Sequence, residues 1–165
     1  MKTRISTSLG EFTAHFSEQG LQELNFPAAQ KSAPLPITTV PAKLRTWEKQ
    51  TANALQAILA GKPPEILPPL DLSAGTPFQQ SVWQALLKIA LGKTKSYGEI
   101  ARLIGKPRAV RAVGGACGAN PIPVLIPCHR VLAANGKIGG FSGGLARKRQ
   151  LLALEGHGTP AMSSR

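Results

Sequence analysis

The stretch SYGEIARLIGKPRAVRAVGGACGANP, residues 96–121, decides how the second half of the chain folds. Ser96 with Glu99 three residues later is a capping box, in which the serine oxygen accepts from the third helical N–H and the glutamate reaches back to the serine N–H. A short helix is expected from here, with Ile100, Leu103 and Ile104 buried and Gly105 stopping it. KPRAV opens another helix with Pro107 near its start, and Asn120-Pro121 lies beyond its end. Two short helices across a glycine-containing turn, in a basic setting, are the layout of a helix-turn-helix. The second helix has little bulk beyond Arg111 and its valines. Gly114 and Gly115 each cost a helix about 1 kcal/mol relative to alanine. Either this backbone packs tightly on another helix, or it approaches a nucleic-acid groove with Arg111 projecting as its one long cation. The residues leave both readings open.

Upstream, TPFQ at 76–79 is a second capping box with Pro77 in the first helical position. Phe78, Val82, Leu86 and Ile89 then form one apolar stripe. The first part of the chain reads differently. Phe12, Ala14 and Phe16 alternate with polar residues, Glu18-Gln19-Gly20 suits a turn, and Leu24 and Phe26 resume the alternation, which is a β-hairpin pattern. A proline-rich connection over 27–42 precedes a helix carrying Leu44, Trp47, Leu55, Ile58 and Leu59, with Gly61 at its stop. KPPEILPPLDLSAG brings four more prolines, and the domain boundary is expected there. The reading is an α/β (α+β) chain. A small N-terminal domain, residues 1–70, has an antiparallel sheet and a helix. A mostly helical C-terminal domain, residues 71–165, carries a winged-helix-like helix-turn-helix. The tail GHGTPAMSSR is expected to be mobile.

The charge divides at the same place. The chain carries +12 overall; residues 1–71 hold seven Lys/Arg against six Asp/Glu, and residues 72–165 hold thirteen against two. A cationic half favours a polyanion as partner. No apolar run approaches the roughly 20 residues of a membrane helix, and MKTRISTSLGEF lacks the apolar core of a signal peptide. A cytoplasmic setting with reduced thiols is expected.

One of the two cysteines sits in PIPVLIPCHRV, residues 121–131. A lone cysteine is usually a buried, inert hydrophobe. Here Pro127 precedes Cys128, and His129 and Arg130 follow; an imidazole can take a thiol proton and nearby cations favour the thiolate. Cys117, Cys128, His129 and His157 match no zinc spacing, so no metal and no cofactor is expected. Glu155, one of two acids in the basic half, follows the stripe Leu151, Leu152, Leu154 at a helix C-terminus, where a negative charge is unfavourable. It could instead be an ordinary exposed helix end, or the carboxylate that orients His129.

IPCHRV at 126–131 resembles the alkyl-acceptor motif of the O6-alkylguanine-DNA alkyltransferases. The likeness extends through TPFQQSVW at 76–83, SYGEIA at 96–101, RAVGGACGANP at 111–121, FSGGLARK at 141–148 and LLALEG at 151–156, and is weaker in the N-terminal half. The resemblance implies irreversible, single-turnover transfer of the alkyl group from O6-alkylguanine, and from O4-alkylthymine, to Cys128 in flipped-out DNA. It implies that His129 withdraws the thiol proton through a water, that Glu155 orients His129, and that Asn120 fixes the turn before the acceptor. Arg111 would fill the gap left by the flipped nucleotide, Tyr97 would crowd the target phosphate and contact the base, and Ala112 and Gly114 would face the minor groove. Val131, Ser142, Pro123, Phe141 and Gly143 would line the guanine pocket. The implied partner is double-stranded DNA, bound by a monomer without sequence preference; cooperative binding is left open. Cys117 stands where vertebrate relatives carry a larger apolar residue, and Phe141 replaces a common tyrosine. Pro123 resembles the proline of members that accept bulky substituents, so reaction with benzyl-substituted guanine is expected. The alternatives from other classes are a non-enzymatic module that binds alkylated bases, and a Cys/His hydrolase.

Overall fold

The computed structural model describes residues 1–31, 33–36 and 39–157. Strands β1 (Lys2–Thr7), β2 (Gly10–Phe16) and β3 (Leu21–Asn25) are followed by α1 (Ala42–Leu59), α2 (Pro77–Leu86), β4 (Lys95–Ser96), α3 (Tyr97–Leu103), α4 (Val110–Gly118), β5 (Val131–Leu132) and α5 (Leu145–Leu154). The fold is mixed α/β. The expected hairpin is β2–β3, and Phe12, Ala14 and Phe16 face the core as the period of two requires. Phe26 lies just past the end of β3 rather than in it. β1, unforeseen in the sequence, pairs antiparallel along β2 from Lys2 opposite His15 to Thr7 opposite Gly10. Of its residues Ile5 alone is buried, so KTRIST carries almost no alternation signal.

α1 buries Trp47, Ala54, Leu55, Ile58 and Leu59. It ends in a Schellman motif: Gly61, at φ +75°, donates to Ile58 O and Lys62 donates to Ala57 O. The proline-rich connection that follows is tied down. Leu21 N donates to Pro69 O at 2.7 Å, Asp71 N donates to Leu21 O at 2.8 Å, and the Asp71 carboxylate accepts from the Ser17 and Ser73 hydroxyls. The segments on either side of residue 70 share one hydrophobic cluster, from Ile5, Phe12 and Leu55 to Val82, Ile100, Val113, Ile126 and Leu151.

Both capping boxes form. Thr76 and Ser96 each accept from the backbone of Gln79 and Glu99, whose side chains bond back to the cap N–H. In α3, Ile100 and Ala101 are buried and Ile104 packs partly against the core, whereas Leu103 is 63% exposed, against expectation. The inward face is set by positions i, i+1 and i+4, and Leu103 at i+3 is rotated about 100° from its centre. Pro107 is the second residue of a turn closed by Ala109 N donating to Lys106 O, and α4 begins only at Val110. Trp83 Nε1 donates to Ala116 O at 2.9 Å, bracing α4 on α2. Gly156 and His157 close α5 as Gly61 and Lys62 close α1. The rest of the expected mobile tail, from Gly158, lies outside the described residues. No helix among those described is long and apolar enough to cross a membrane.

Candidate active site

The turn between α4 and Cys128 is held by Asn120. Its Oδ1 accepts from Ile122 N at 2.9 Å and its Nδ2 donates to Ile126 O at 2.8 Å, spanning a segment crowded with prolines. Val124 within it has φ +74°, a conformation that opposes a β-branched side chain, and it is fully buried. Such strain persists where surrounding contacts over-determine the backbone, as these two hydrogen bonds do. The chain emerges into a 3-10 turn, Cys128–Arg130, with Pro127 ahead of it.

Cys128 is 4% exposed, and His129 is fully buried. His129 Nε2 lies 2.8 Å from Glu155 Oε1. Arg130 grips the same carboxylate with both arms, Nε to Oε2 at 2.9 Å and Nη2 to Oε1 at 2.7 Å, while its Nη1 donates to Ile89 O. Burial pushes the His129 imidazole down, so the ring is neutral at pH 7. Burial pushes the Glu155 carboxyl up, but hydrogen bonds from His129 and Arg130 and the nearby positive charge outweigh it, and the group sits at about 2. With His129 neutral, the cation that keeps Glu155 ionised is Arg130. An ionised carboxylate against Nε2 selects the Nε2–H tautomer. Nδ1 then carries a lone pair, and it has no hydrogen-bonding partner among the described residues.

Burial also pushes the Cys128 thiol up, against a hydrogen bond from Asn120 and the charge of Lys148, which pull it down. The resting group is a thiol, not the thiolate that the adjacent cations suggested, so its proton must leave as the reaction begins. Lys148 is fully buried; its Nζ donates to Val131 O at 2.7 Å and Gly140 O at 2.9 Å and lies 5.9 Å from the centre of the Tyr97 ring. No carboxylate pairs with it among the described residues, and burial pushes its ammonium down to about 8. Cys117 shares the pocket, but burial pushes its thiol up to about 12.

The pocket, about 160 Å³, is lined by Tyr97, Gly114, Cys117, Gly118, Cys128, Gly140, Phe141 and Ser142. It is far smaller than a drug-sized site and suits a single planar base. It brings together Tyr97, Gly114, Cys128, Phe141 and Ser142 of the expected residues. Val131 is fully buried with its carbonyl taken by Lys148 and does not line the pocket. Pro123 and Gly143 line an adjoining crevice of about 660 Å³, which shares Ser142 with the pocket.

Arg111 and Ala112 stand exposed on α4 and Gly114 is half-buried, while Val113, Ala116 and Cys117 face inward. A side chain built at Gly114, Gly115 or Gly118 would meet nothing within 4 Å. Tight helix packing is therefore not why these positions are glycine.

Comparison with known proteins agrees with this geometry. The family model of the 6-O-methylguanine DNA methyltransferase DNA binding domain matches residues 77–157. A methylated-DNA–protein-cysteine methyltransferase of Methanosarcina acetivorans is 43% identical over 155 residues, covering 92% of this chain and 96% of the relative. The chain belongs to the methylated-DNA–protein-cysteine methyltransferase family. A Mycobacterium bovis member is 56% identical over 109 residues, 66% of each chain. A crystal structure of Mycobacterium tuberculosis OGT in complex with DNA superposes with a TM-score of 0.75 and 43% identity, covering 92% of this chain and 90% of that one.

Two residues of this methyltransferase site escaped the sequence reading: Arg130 and Lys148. Lys148 had a signal. On α5 and its cap, Lys148, Leu151, Leu152 and Glu155 share one helix face, and all are buried. A lysine and a glutamate at core-facing positions of an apolar stripe are uncommon enough to mark a site. Arg130 had only its adjacency to His129, because the partner that gives it a role lies 25 residues on.

Proposed function

We propose that this chain repairs alkylated DNA by transferring the alkyl group of O6-alkylguanine, in a single irreversible turnover, to Cys128. The observation that carries the reading is the buried Cys128 thiol on a base-sized pocket, next in sequence to an imidazole whose Nδ1 has no hydrogen-bonding partner among the described residues and whose Nε2 is held by Glu155. An alkyl group on O6 of a paired guanine is out of reach inside the duplex, so the base enters the pocket unstacked. His129 Nδ1 takes the Cys128 proton, directly or through one water. The imidazolium so formed is stabilised by Glu155, and the thiolate by the Lys148 ammonium and the Asn120 amide. Sulfur attacks the alkyl carbon; the C–S bond forms as the C–O bond breaks, and the electron pair leaves on guanine O6. The proton given up by sulfur equals the one guanine needs to return to its ordinary form. The thioether offers no ready hydrolysis, so the protein is consumed.

Binding uses the cationic second half for phosphates without sequence preference. The smooth face of α4, with Ala112, Gly114, Gly115 and Gly118, fits a minor groove about 6 Å wide. Arg111 at its start takes the space of the flipped nucleotide, and Tyr97, across the pocket from α4, contacts the base. O4-methylthymine is a second substrate, and the crevice beside Pro123 and Ser142 receives bulky substituents such as benzyl.

Intact-mass measurement after mixing with duplex DNA containing O6-methylguanine is the test. One methyl per chain, on Cys128, and none on a Cys128→Ser variant, is the expected result. Binding without mass gain would favour a non-enzymatic base-binding module, and repeated turnover would favour a hydrolase.

A further inference from the structure

From the first half of the chain, Phe26 reaches a residue that lines the pocket. Phe26, just beyond β3, packs against Phe12 with ring centres 5.4 Å apart at 45°, and meets Phe141 edge-on, with ring centres 5.9 Å apart at 73°. The Arg147 guanidinium lies over the Phe26 ring, 4.7 Å from its centre, and Arg147 Nη2 donates to Pro27 O at 2.7 Å. A side chain at Gly143 would meet Phe141 at 2.8 Å and Phe26 at 2.9 Å, so the loop is closed down on both rings.

Phe141 is a wall of the acceptor pocket, and it sits in a segment, residues 139–144, with glycine at four of its six positions. Such a segment loses more freedom on ordering than any other composition, and it has no helix or strand ladder of its own. Among its ties are a turn bond from Gly144 N to Phe141 O, the bond from Lys148 N to Gly144 O, and the contacts of Lys148 and Tyr97 with Gly140 O. Those act on the backbone; the Phe141 ring packs on the core, and the Phe26 ring meets it from the N-terminal half.

We infer that Phe26 is a positioning residue for alkyl transfer: packed against Phe12 and Arg147, it fixes the Phe141 wall of the pocket that Cys128 also lines. Phe26 lies outside the α4 face and outside the Cys128–His129–Glu155 array, so it acts on the placement of the base and not on DNA affinity or on the thiol proton. The inference rests on the proposed transfer to Cys128.

The test is single-turnover transfer from duplex DNA containing O6-methylguanine, using full-length wild-type protein, Phe26→Ala and Phe26→Leu, with two companion readouts. These are anisotropy binding to unmodified duplex and chymotryptic cleavage after Phe141. Misplacing a reacting group by a fraction of an ångström costs about tenfold or more in rate. Phe26→Ala is expected to slow transfer at saturating protein about tenfold, leave duplex affinity within twofold, and speed cleavage after Phe141. Phe26→Leu keeps the bulk and core contact and is expected to lie between. It carries the test should the alanine variant not fold. Wild-type transfer and cleavage rates in either folded variant would overturn the inference while leaving the transfer reading intact. A wild-type protein that gains no methyl on Cys128 would instead overturn the reading on which the inference rests.

Discussion

Glu155 is where the electrostatics of the array converge, because one carboxylate serves both a neutral imidazole and a buried guanidinium. Its pKa falls from 4.5 to about 2 on folding. A carboxyl with a depressed folded-state pKa binds fewer protons folded than unfolded. Its contribution, on the order of 3 kcal/mol, is therefore complete above pH 4.5 and drains away as the pH falls toward 2. His129, also held below its ordinary value, acts in the same sense: stability starts to fall once the pH drops below 6.5. Glu155→Gln should remove much of this acid limb, so that urea unfolding at pH 7 and pH 3 differs less than in wild type. It should also cost about 3–5 kcal/mol at pH 7, since Arg130 is left buried without a counter-charge. Transfer should slow by about 100-fold or more, because the Nε2–H tautomer loses its anchor. Lys148→Met tests the other cation. Losing the ammonium that faces the developing thiolate should slow transfer by at least about tenfold in single-turnover assays. Two carbonyls, Val131 O and Gly140 O, lose their donor as well, so the melting temperature is measured alongside. Cys128 and His129 were legible from adjacency, and Glu155 from an acid placed where a helix end disfavours one. What the sequence could not convey is that Arg130 turns back to the same carboxylate, or that burial makes Cys128 a thiol at rest, since both depend on contacts across 20 or more residues.

The helices of the second half were readable because their signals are local. Thr76 with Gln79, and Ser96 with Glu99, announce α2 and α3 through bonds made within four residues, and Gly105 ends α3 at positive φ, as Gly61 does for α1 in the first half. β1 was not readable, because its single buried residue makes no period and its partner is chosen by the sheet edge. The two-residue parallel pair β4–β5, Lys95 with Val131 and Ser96 with Leu132, is set by tertiary placement alone. For α4 the glycines were noticed, but their reason needed coordinates. Among the described residues, no atom lies within 4 Å of where their side chains would begin. This gives a prediction in which two readouts move in opposite directions. Gly115→Ala should stabilise the protein, by up to about 1 kcal/mol, since an exposed helical glycine is replaced by the best helix former. Gly115→Leu should also be tolerated in the folded protein, yet duplex affinity should fall with side-chain size, because the proposed binding mode brings the groove within touching distance of this backbone. Thermal melts and anisotropy binding on the same preparations decide it. A helix made smooth for folding reasons would show destabilisation and unaltered DNA binding.

Cys128, Val131 and the helices on both sides of residue 70 belong to one hydrophobic cluster, so chemistry at the sulfur is felt by the whole fold. DNA binding, by contrast, is an affair of the cationic second half, and its affinity should fall steeply with salt; the slope of log K against log salt, divided by about −0.9, counts the phosphates engaged. Cutting one exposed arginine such as Arg111 should reduce that slope by about one if it meets a phosphate, and leave the slope unchanged while weakening flipped-base capture if it occupies the vacated stack. Alkylation itself acts inside the cluster. On the proposed transfer, the new S–alkyl group would sit where Cys128 is 4% exposed, beside Cys117, on a turn whose Asn120 amide also braces Ile126 and hydrogen-bonds the sulfur. Added bulk in a packed site typically costs about 1–3 kcal/mol. For a chain of this length that lowers the melting temperature by roughly 2–4 °C per kcal/mol. The methylated protein should therefore melt about 2–12 °C below the free protein in matched scans. The benzylated form should melt lower still, unless the crevice beside Pro123 takes the ring, in which case the two alkylated forms should melt together. An alkylated protein that melts with the free one would mean that the pocket holds the transferred group without strain, and that the Asn120 brace does not depend on the state of the sulfur.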